Sequence, residues 1–406
     1  MAHVPGSLVQ WSVLGLTIAA WVVACAGDEK HLHARNDAGA AGLAGDAAQA
    51  DAGATSTNPQ GGRSGSAQGG AGIGGMAGGA PGTGDAGNGQ SSLGNGGATT
   101  ANGGSASQPK LCDAVVVTDS HLETWMRQAT NVASGPIPPE KAATVTFGFV
   151  SSLLVSNLDG LECFTALTRF EAQSDTISDL SPLAGLTELT YLALGGNKLT
   201  DISPLAGLTK LQTLQLGSNQ LTDITALADL KQLKELTLNA NKLTNIDVLA
   251  DKTALQSLTL DLNYGVTSVA ALANLSELTK LTMSSVPLDS TALVADKVKL
   301  TYLDLSTTGI TDVSFLSNMP GMQQLVLAHN DISDISALST LDQLSHVDLD
   351  GTLVSDLSPL VANSGIGQGD TVFAQNFPFS ACDANAANYQ ALLDRGVTLL
   401  LPCPPP

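Results

Sequence analysis

The histidines are the side chains of this sequence best suited to catalysis, because imidazole can act as a general base near neutral pH. Catalysis also needs a nucleophile and an orienting group that converge in a pocket sheltered from water. The six histidines are scattered along the 406 residues, at His3, His31, His33, His121, His329 and His346. Neither the HExxH motif of metalloproteases nor the GxSxG motif of serine hydrolases occurs. The sequence therefore predicts a protein that is not an enzyme and takes no cofactor.

One acidic segment has the residue types of a cation site. Asp348, Asp350 and Gly351 stand close together, as the ligands and the turn glycine do in a calcium-binding loop. The glycine comes too early, however, and no glutamate closes the loop. A solvated acidic strand end is the interpretation that we favour, so no metal site is predicted.

Four of the five cysteines fall near the two ends of the segment that follows residue 108. Cys112, Cys163, Cys382 and Cys403 allow three pairings, and their positions favour Cys112–Cys163 and Cys382–Cys403. The sequence has no CxxC motif, which argues against a zinc ribbon or a thioredoxin-like redox site. Paired cysteines of this kind indicate an oxidising compartment.

The first 24 residues have the character of a signal peptide. They contain no Lys, Arg, Asp or Glu, and the apolar run from Trp11 to Ala24 is too short to span a bilayer. The run ends in Val-Val-Ala followed by Cys25, which resembles the cleavage box of bacterial lipoproteins. That resemblance implies a lipid anchor on Cys25 and, with Ala26 next, a place at the outer membrane or cell surface. The alternative is an ordinary signal peptide that leaves Cys25 as a plain thiol.

Residues 25–108 are rich in glycine, alanine and serine and contain no aromatic residue. Such a segment cannot bury enough apolar area to offset its chain entropy, so we expect a disordered tether. The whole chain is acidic, with 37 Asp and Glu against 17 Lys and Arg and a net charge of −20. This balance argues against nucleic-acid partners, which need clustered basic residues, and leaves the lipid anchor as the only expected membrane contact.

A 22-residue repeat dominates the rest of the sequence. In one unit the apolar positions are Leu189, Leu192, Leu194, Leu199, Ile202, Leu205 and Leu208, with Asn197 among them. The frame gives ten units over residues 145–366. Alternating leucines indicate a short strand, the asparagine marks the turn, and the later apolar residues close the coil from the opposite side. No unit can bury its leucines alone, so the units must stack into a solenoid.

These repeats resemble the 22-residue leucine-rich repeats of bacterial internalins, above all in the phrase LTDISPLAGL at 199–208. The chain is therefore identified as an internalin-like leucine-rich-repeat lipoprotein. The predicted fold is an α/β leucine-rich-repeat solenoid, with a parallel β-sheet on its concave face and short helical or 3-10 turns on its convex face. Repeated Ser-Pro pairs, such as Ser203-Pro204, are interpreted as caps of those turns.

Disulfide-tied caps are expected at both ends of the solenoid. Residues 109–144 form the predicted N-terminal cap, with a helix starting after Asp119, and we expect this cap to cover Phe147 and Phe149 of the first unit. Residues 367–406 form the predicted C-terminal cap, with a helix and a final strand. Within the repeats, Val286 replaces the turn asparagine after a 23-residue unit, which predicts a local irregularity at 263–290.

The predicted function is recognition of a protein or glycan through the concave sheet. Residues between the core leucines of each strand face that sheet, and solenoids bind partners there. The candidate contacts are Arg169, Glu171, Tyr191, Gln215, Glu235, Lys280, Tyr302, Asp304, His346 and Asp348. The resemblance to internalins implies an adhesion or recognition module at the cell surface, expected as a monomer. The alternative is a non-catalytic periplasmic scaffold or regulatory subunit.

Overall fold

The computed structural model describes Cys112 and residues 114–288, 290–292 and 294–403. The predicted signal peptide, the lipidation site Cys25 and the predicted tether lie outside the described residues. Residues 109–111 at the start of the predicted N-terminal cap and 404–406 at the end of the predicted C-terminal cap lie outside them as well.

One parallel sheet runs through the described part of the chain, and its strands follow each other in sequence order. Every strand is three residues long: β1 Phe147–Phe149, β2 Arg169–Glu171, β3 Tyr191–Ala193, β4 Thr213–Gln215, β5 Glu235–Thr237, β6 Ser257–Thr259, β7 Lys280–Thr282, β8 Tyr302–Asp304, β9 Gln324–Val326, β10 His346–Asp348, β11 Thr371–Phe373 and β12 Thr398–Leu400. The predicted leucine-rich-repeat solenoid is confirmed. Strand β12 is the predicted final strand, whereas β11 was not predicted.

Short helices connect the strands. The α-helices are α1 Ser120–Thr130, α2 Pro139–Ala142, α3 Ser358–Ala362 and α4 Cys382–Asp394. The 3-10 turns are Leu161–Cys163, Ser181–Leu183, Ser203–Leu205, Thr225–Leu227, Asp247–Asp251, Ala270–Asn274, Ser314–Asn318, Ser336–Thr340 and Phe379–Ala381. The core lies between these turns and the sheet. Leu192, Leu194 and Leu205 are fully buried in it, as the repeat predicts.

A column of buried side-chain amides joins four successive coils, each to the one before it. Asn197 accepts a hydrogen bond from the Ile177 N–H on Oδ1 (3.0 Å) and donates through Nδ2 to the carbonyls of Ala172 (2.7 Å) and Leu194 (3.0 Å). The same arrangement recurs at Asn219, Asn241 and Asn263. The backbone N–H and C=O groups of these turns are buried and cannot bond to water. The asparagine side chains supply their hydrogen-bond partners instead.

The amide column is interrupted at Val286, which is fully buried. The strands on either side stay in register, with Ser257 opposite Lys280 and Lys280 opposite Tyr302. The irregularity lies on the convex side, where the described residues between β7 and β8 form no helix or 3-10 turn. Asp261 adds side-chain hydrogen bonds between the two coils on the concave side, as shown below.

Three of the convex turns are capped two residues earlier than the Ser-Pro pattern predicts. Ser203 does not cap its own turn, because its N–H and hydroxyl both donate to the carboxylate of Asp201, at 2.7 and 2.9 Å. Asp179 binds Ser181 in the same way, and Asp223 binds Thr225. In these three turns the aspartate two residues before the turn is therefore the capping residue, because its side chain reaches the free N–H at the turn's start.

Both predicted disulfides are present. Cys112 is bonded to Cys163, which ties the chain before α1 to the first coils, and Cys382 is bonded to Cys403 across α4 and β12. Helix α1 begins after Asp119, whose Oδ1 accepts hydrogen bonds from the N–H groups of His121 (2.9 Å) and Leu122 (3.0 Å). These bonds satisfy donors that the first turn of a helix leaves free.

The expectation that the N-terminal cap covers Phe147 and Phe149 is wrong. Their side chains remain 49% and 51% exposed. The cap instead packs on the core side of β1, where the ring of Trp125 meets the ring of Phe170 at 6.1 Å between centroids. Gly148 makes room for it, since a Cβ at this position would come within 2.9 Å of Trp125. The cap thus closes the end of the core and leaves the concave face open.

Asp175 occupies the amide column but carries a carboxylate. Its Oδ1 accepts hydrogen bonds from Leu153 and Val155, as an asparagine oxygen would, whereas the buried Oδ2 has no partner among the described residues. In the next coil the corresponding amide nitrogen of Asn197 donates to two carbonyls. Burial raises the pKa of Asp175, although the hydrogen bonds from the Val155 and Leu153 N–H groups oppose that shift.

We expect Asp175→Asn to stabilise the protein at neutral pH by about 1 kcal/mol, because the new amide supplies a donor where the carboxylate has an unsatisfied oxygen. Since the folded-state pKa of Asp175 is raised, its unfavourable contribution is absent at low pH and grows as pH rises through that pKa. Urea unfolding at neutral and acidic pH measures both effects. The mirror variant Asn219→Asp, which removes a donor, should destabilise at neutral pH. A lower urea midpoint for Asp175→Asn would contradict this account.

Candidate binding face

The first and third residues of each strand form two columns on the concave face, on the side of the sheet opposite the core. All ten candidate contacts belong to these columns. Arg169, Tyr191, Glu235, Lys280, Tyr302 and His346 are first residues of their strands, and Glu171, Gln215, Asp304 and Asp348 are third residues. The strands pair in register along the sheet, so side chains in one column follow each other at the strand spacing of about 4.8 Å.

Arg169 is held rigidly at the N-terminal end of the face. Its guanidinium carbon lies 3.7 Å from the centre of the Tyr191 ring. Its Nε donates to Glu171 at 2.7 Å, and the same carboxylate forms an ion pair with the outer guanidinium nitrogen. The pKa of Tyr191 is raised, first by burial and then by the nearby Glu171 carboxylate. Together these contacts fix the arginine in one orientation and neutralise its charge locally.

The C-terminal half of the face is acidic. Asp261 is partly buried and accepts hydrogen bonds from the Ser284 N–H (2.7 Å) and the Thr282 hydroxyl (2.8 Å). Burial raises the pKa of Asp261, and the Asp304 carboxylate adds to that shift. The pKa of Asp348 is also raised, mainly by burial and further by Asp350.

One cation–aromatic contact lies among these carboxylates. Lys280 places its ammonium 5.0 Å from the centre of the Tyr302 ring. Burial raises the pKa of Tyr302, and the charges of Asp304 and Asp261 raise it further. This half of the face therefore concentrates negative potential around one lysine and one tyrosine.

His346 is fixed by a strand that the sequence did not reveal. Its Nδ1 lies 2.6 Å from the Thr371 hydroxyl, and its ring centre lies 5.3 Å from that of Phe373. Both partners belong to β11. Phe373 is therefore a further residue of the face, and the pairing of Asp348 with Phe373 in the sheet extends the third-residue column past the predicted repeats.

Comparison with known proteins agrees with this geometry. The family described as Leucine rich repeat matches residues 187–243. No curated protein matches the sequence. Among solved structures, the internalin InlF from Listeria monocytogenes is similar with 23% identity and a TM-score of 0.51, over 70% of this chain and 90% of that one. The functional domain of InlJ from the same organism is similar with 24% identity and a TM-score of 0.52, over 63% of this chain and 59% of that one. This chain has an internalin-like leucine-rich-repeat fold.

In the internalin-like solenoid, the acidic segment at Asp348 and Asp350 forms a turn whose carboxylates bind the backbone. The Asp348 carboxylate accepts the N–H of Asp350 at 2.9 Å, and Asp350 accepts that of Asn376 at 3.2 Å. The ring of His329 lies against Gly351, where a Cβ would come within 2.3 Å of Nδ1. Both carboxylates thus bind backbone groups. Across the described part of the chain, no three His, Cys, Asp or Glu side chains are arranged to hold a metal ion. In the same part, no helix has the length and apolar character needed to cross a membrane.

The internalin-like solenoid should gain stability at neutral pH when Asp261 is changed to asparagine. The amide keeps both hydrogen bonds, with its oxygen accepting from Ser284 and its nitrogen donating to Thr282, but carries no charge to bury. Because the folded-state pKa of Asp261 is raised, the protonated Asp261 favours the folded parent protein at low pH. That stability is lost as pH rises through the raised pKa. Urea unfolding between about pH 3 and pH 7 tests this, since carboxyl groups titrate there.

Asp312 is the matched control for that measurement. Its pKa is lowered, first by the hydrogen bond from the Ser314 N–H and then by the one from the Ser314 hydroxyl. The contribution of Asp312 is therefore present at neutral pH and is lost as pH falls through its lowered pKa. The stability contributions of Asp261 and Asp312 therefore change with pH in opposite directions. If Asp261→Asn left the pH dependence of unfolding unchanged, that result would contradict the role assigned to burial.

Proposed function

We propose that this chain is a non-catalytic recognition module that binds another protein through its concave face and is displayed at the cell surface. The observation that carries the proposal is the continuous, in-register sheet with two columns of solvent-facing side chains. Solenoids bind partners on such surfaces because one face of every strand is left free by the core. The internalin-like fold supports the same function.

The dimensions of the face suit a protein partner. Twelve strands at about 4.8 Å give a length of about 53 Å. The three strand residues of each coil and the two residues that follow them, at about 3.3 Å each, give a width of about 16 Å. The product is roughly 800 Å², which matches the area that each partner contributes to a standard protein interface. Arg169, Tyr191 and Tyr302 are of the residue types that dominate binding energy in such interfaces. A single glycan unit would cover only a small part of this surface.

The sequence before the described residues supports display at a membrane surface. In this proposal Cys25 carries a lipid anchor, and residues 25–108, which lie outside the described residues, connect it to the solenoid. A glycine-rich coil of that length has an end-to-end distance of about 50 Å, enough to hold the solenoid clear of the lipid headgroups. The protein would then sit at the outer membrane or cell surface. A periplasmic scaffold remains the alternative, and protease access distinguishes the two.

We expect the combined change Tyr191→Ala, Glu235→Ala and Tyr302→Ala to abolish recovery of the partner in pull-downs from intact cells. These side chains are spread over β3, β5 and β8, so a partner lying along the sheet must contact at least one of them. Tyr264→Ala combined with Glu188→Ala is the matched control, because Tyr264 is 69% exposed and both residues lie outside the strand columns. Equal recovery by the parent and the triple variant would count against the concave site.

We expect Cys25→Ser to release the protein from membranes, because a thioether-linked lipid requires the cysteine sulfur. Detergent phase partitioning of the parent and the variant measures the anchor. Protease added to intact cells measures the orientation, since a surface-displayed solenoid should be cleaved without cell lysis. A parent protein that is protected until the envelope is opened would favour the periplasmic scaffold.

A further inference from the structure

Exposed apolar side chains are concentrated at the N-terminal end of the solenoid. Five large hydrophobic residues there are more than two-fifths exposed: Val116, Phe147, Phe149, Leu153 and Leu154. Single exposed hydrophobics are ordinary on protein surfaces, whereas several on one surface mark an interaction site. Phe147 and Phe149 are the first and third residues of β1, so both stand in the columns of the concave face.

The two phenylalanines continue into the arginine and tyrosine of the next strands. Phe147 is the register partner of Arg169, and Arg169 is that of Tyr191. Since Arg169 is paired with Glu171, this end of the face carries no net charge. We call these five residues, Phe147, Phe149, Arg169, Glu171 and Tyr191, the aromatic platform. Its support is rigid, because Trp125 and Phe170 fill the space beneath Gly148.

The opposite half of the face has a different character. Asp261, Asp304, Asp348 and Asp350 contribute four negative charges against the one positive charge of Lys280, a difference of three. The aromatic platform is centred on β2 and the acidic half on β8 to β9, so six to seven strand spacings of about 4.8 Å separate the centres. One exposed apolar side chain, Leu400, lies beyond the acidic half on β12.

We propose that the concave face binds its protein partner in one orientation, with an apolar patch of the partner on the aromatic platform and lysine or arginine side chains over Asp304 and Asp348. This proposal rests on the proposed function and adds to it the chemistry and polarity of the partner surface. An apolar patch would bury Phe147 and Phe149 without stranding a charge, since the arginine is already paired. A basic patch about 30 Å away would meet the negative potential of the acidic half, which favours one direction of binding over its reverse.

Synthetic peptides of defined composition test the proposal with purified full-length protein. The probe carries a Leu-Trp-Leu-Phe segment, a spacer of ten prolines and a Lys-Arg-Lys-Arg segment, with a fluorophore at one end. Polyproline rises about 3.1 Å per residue, so the spacer spans about 31 Å and holds the segments apart. Fluorescence anisotropy measures binding. A five-proline spacer, a peptide with glutamates in place of the basic residues and one with serines in place of the apolar residues are the peptide controls.

Three paired variants locate the two ends of the site. Phe147→Ser with Phe149→Ser should weaken binding of the probe at least about tenfold, the effect expected for removal of a hot spot. Asp304→Asn with Asp348→Asn should weaken it about tenfold at low salt and less at high salt, because screening already reduces charge attraction there. Tyr264→Ser with Val298→Ser removes exposed apolar residues outside the columns and should change nothing. Urea midpoints confirm that each variant is folded.

The outcomes separate this inference from the proposed function. The inference would be overturned if the affinity for the probe were unchanged by the phenylalanine substitutions. It would also be overturned if the affinity did not depend on the spacer length and on the sign of the peptide charge. Absence of any binding of the probe to the parent would overturn it as well. In pull-downs, one outcome is that the triple variant loses the partner while the Phe147/Phe149 variant keeps it. That result overturns only the inference. Full recovery by both variants overturns the proposed function together with the inference.

Discussion

Stacking between coils is the constraint on which every other feature of this protein depends. A coil of this size has no interior of its own, so its leucines are buried only when another coil covers them. That arrangement also buries the backbone groups of the turns, which must find partners within the protein. The amides of Asn197, Asn219, Asn241 and Asn263 meet the requirement by bonding to their own coil and to the preceding one. The leucines supply the driving force, and the amides fix the register.

The interruption of the amide column connects the scaffold to the candidate binding face. Val286 occupies the position of the turn asparagine, but its side chain can neither donate nor accept a hydrogen bond. Asp261 then links its strand to the following one by accepting from Thr282 and Ser284 on the concave side. This arrangement keeps a partly buried negative charge within the face, with the raised pKa noted above. Part of the acidity of the face therefore has a structural origin and does not by itself indicate a ligand.

The sequence was most informative where a residue's role follows from the repeat alone. The spacing of leucines places ten strands and all ten candidate contacts, because every unit obeys one frame. It was least informative where the frame changes. Strand β11 follows β10 by 25 residues instead of 22, so it falls outside the repeat frame. The contact of His346 with Thr371 does not follow from the repeat for the same reason. The capping role of Asp201 does not follow from the repeat, because the Ser-Pro pair beside it has the more familiar capping pattern.

The exposure of Phe147 and Phe149 could not be read from their own residue type. Large aromatic residues beside a terminal cap are ordinarily buried, and the deciding residue is the glycine between them. In the other repeat strands the middle residue is a leucine, valine or phenylalanine that enters the core, whereas Gly148 leaves that space to Trp125 and Phe170. Closure of the core end is thus achieved beneath the strand, by residues that never reach the concave side. Because the cap does not use the outer surface of β1, that surface is free to carry aromatic side chains, and it does.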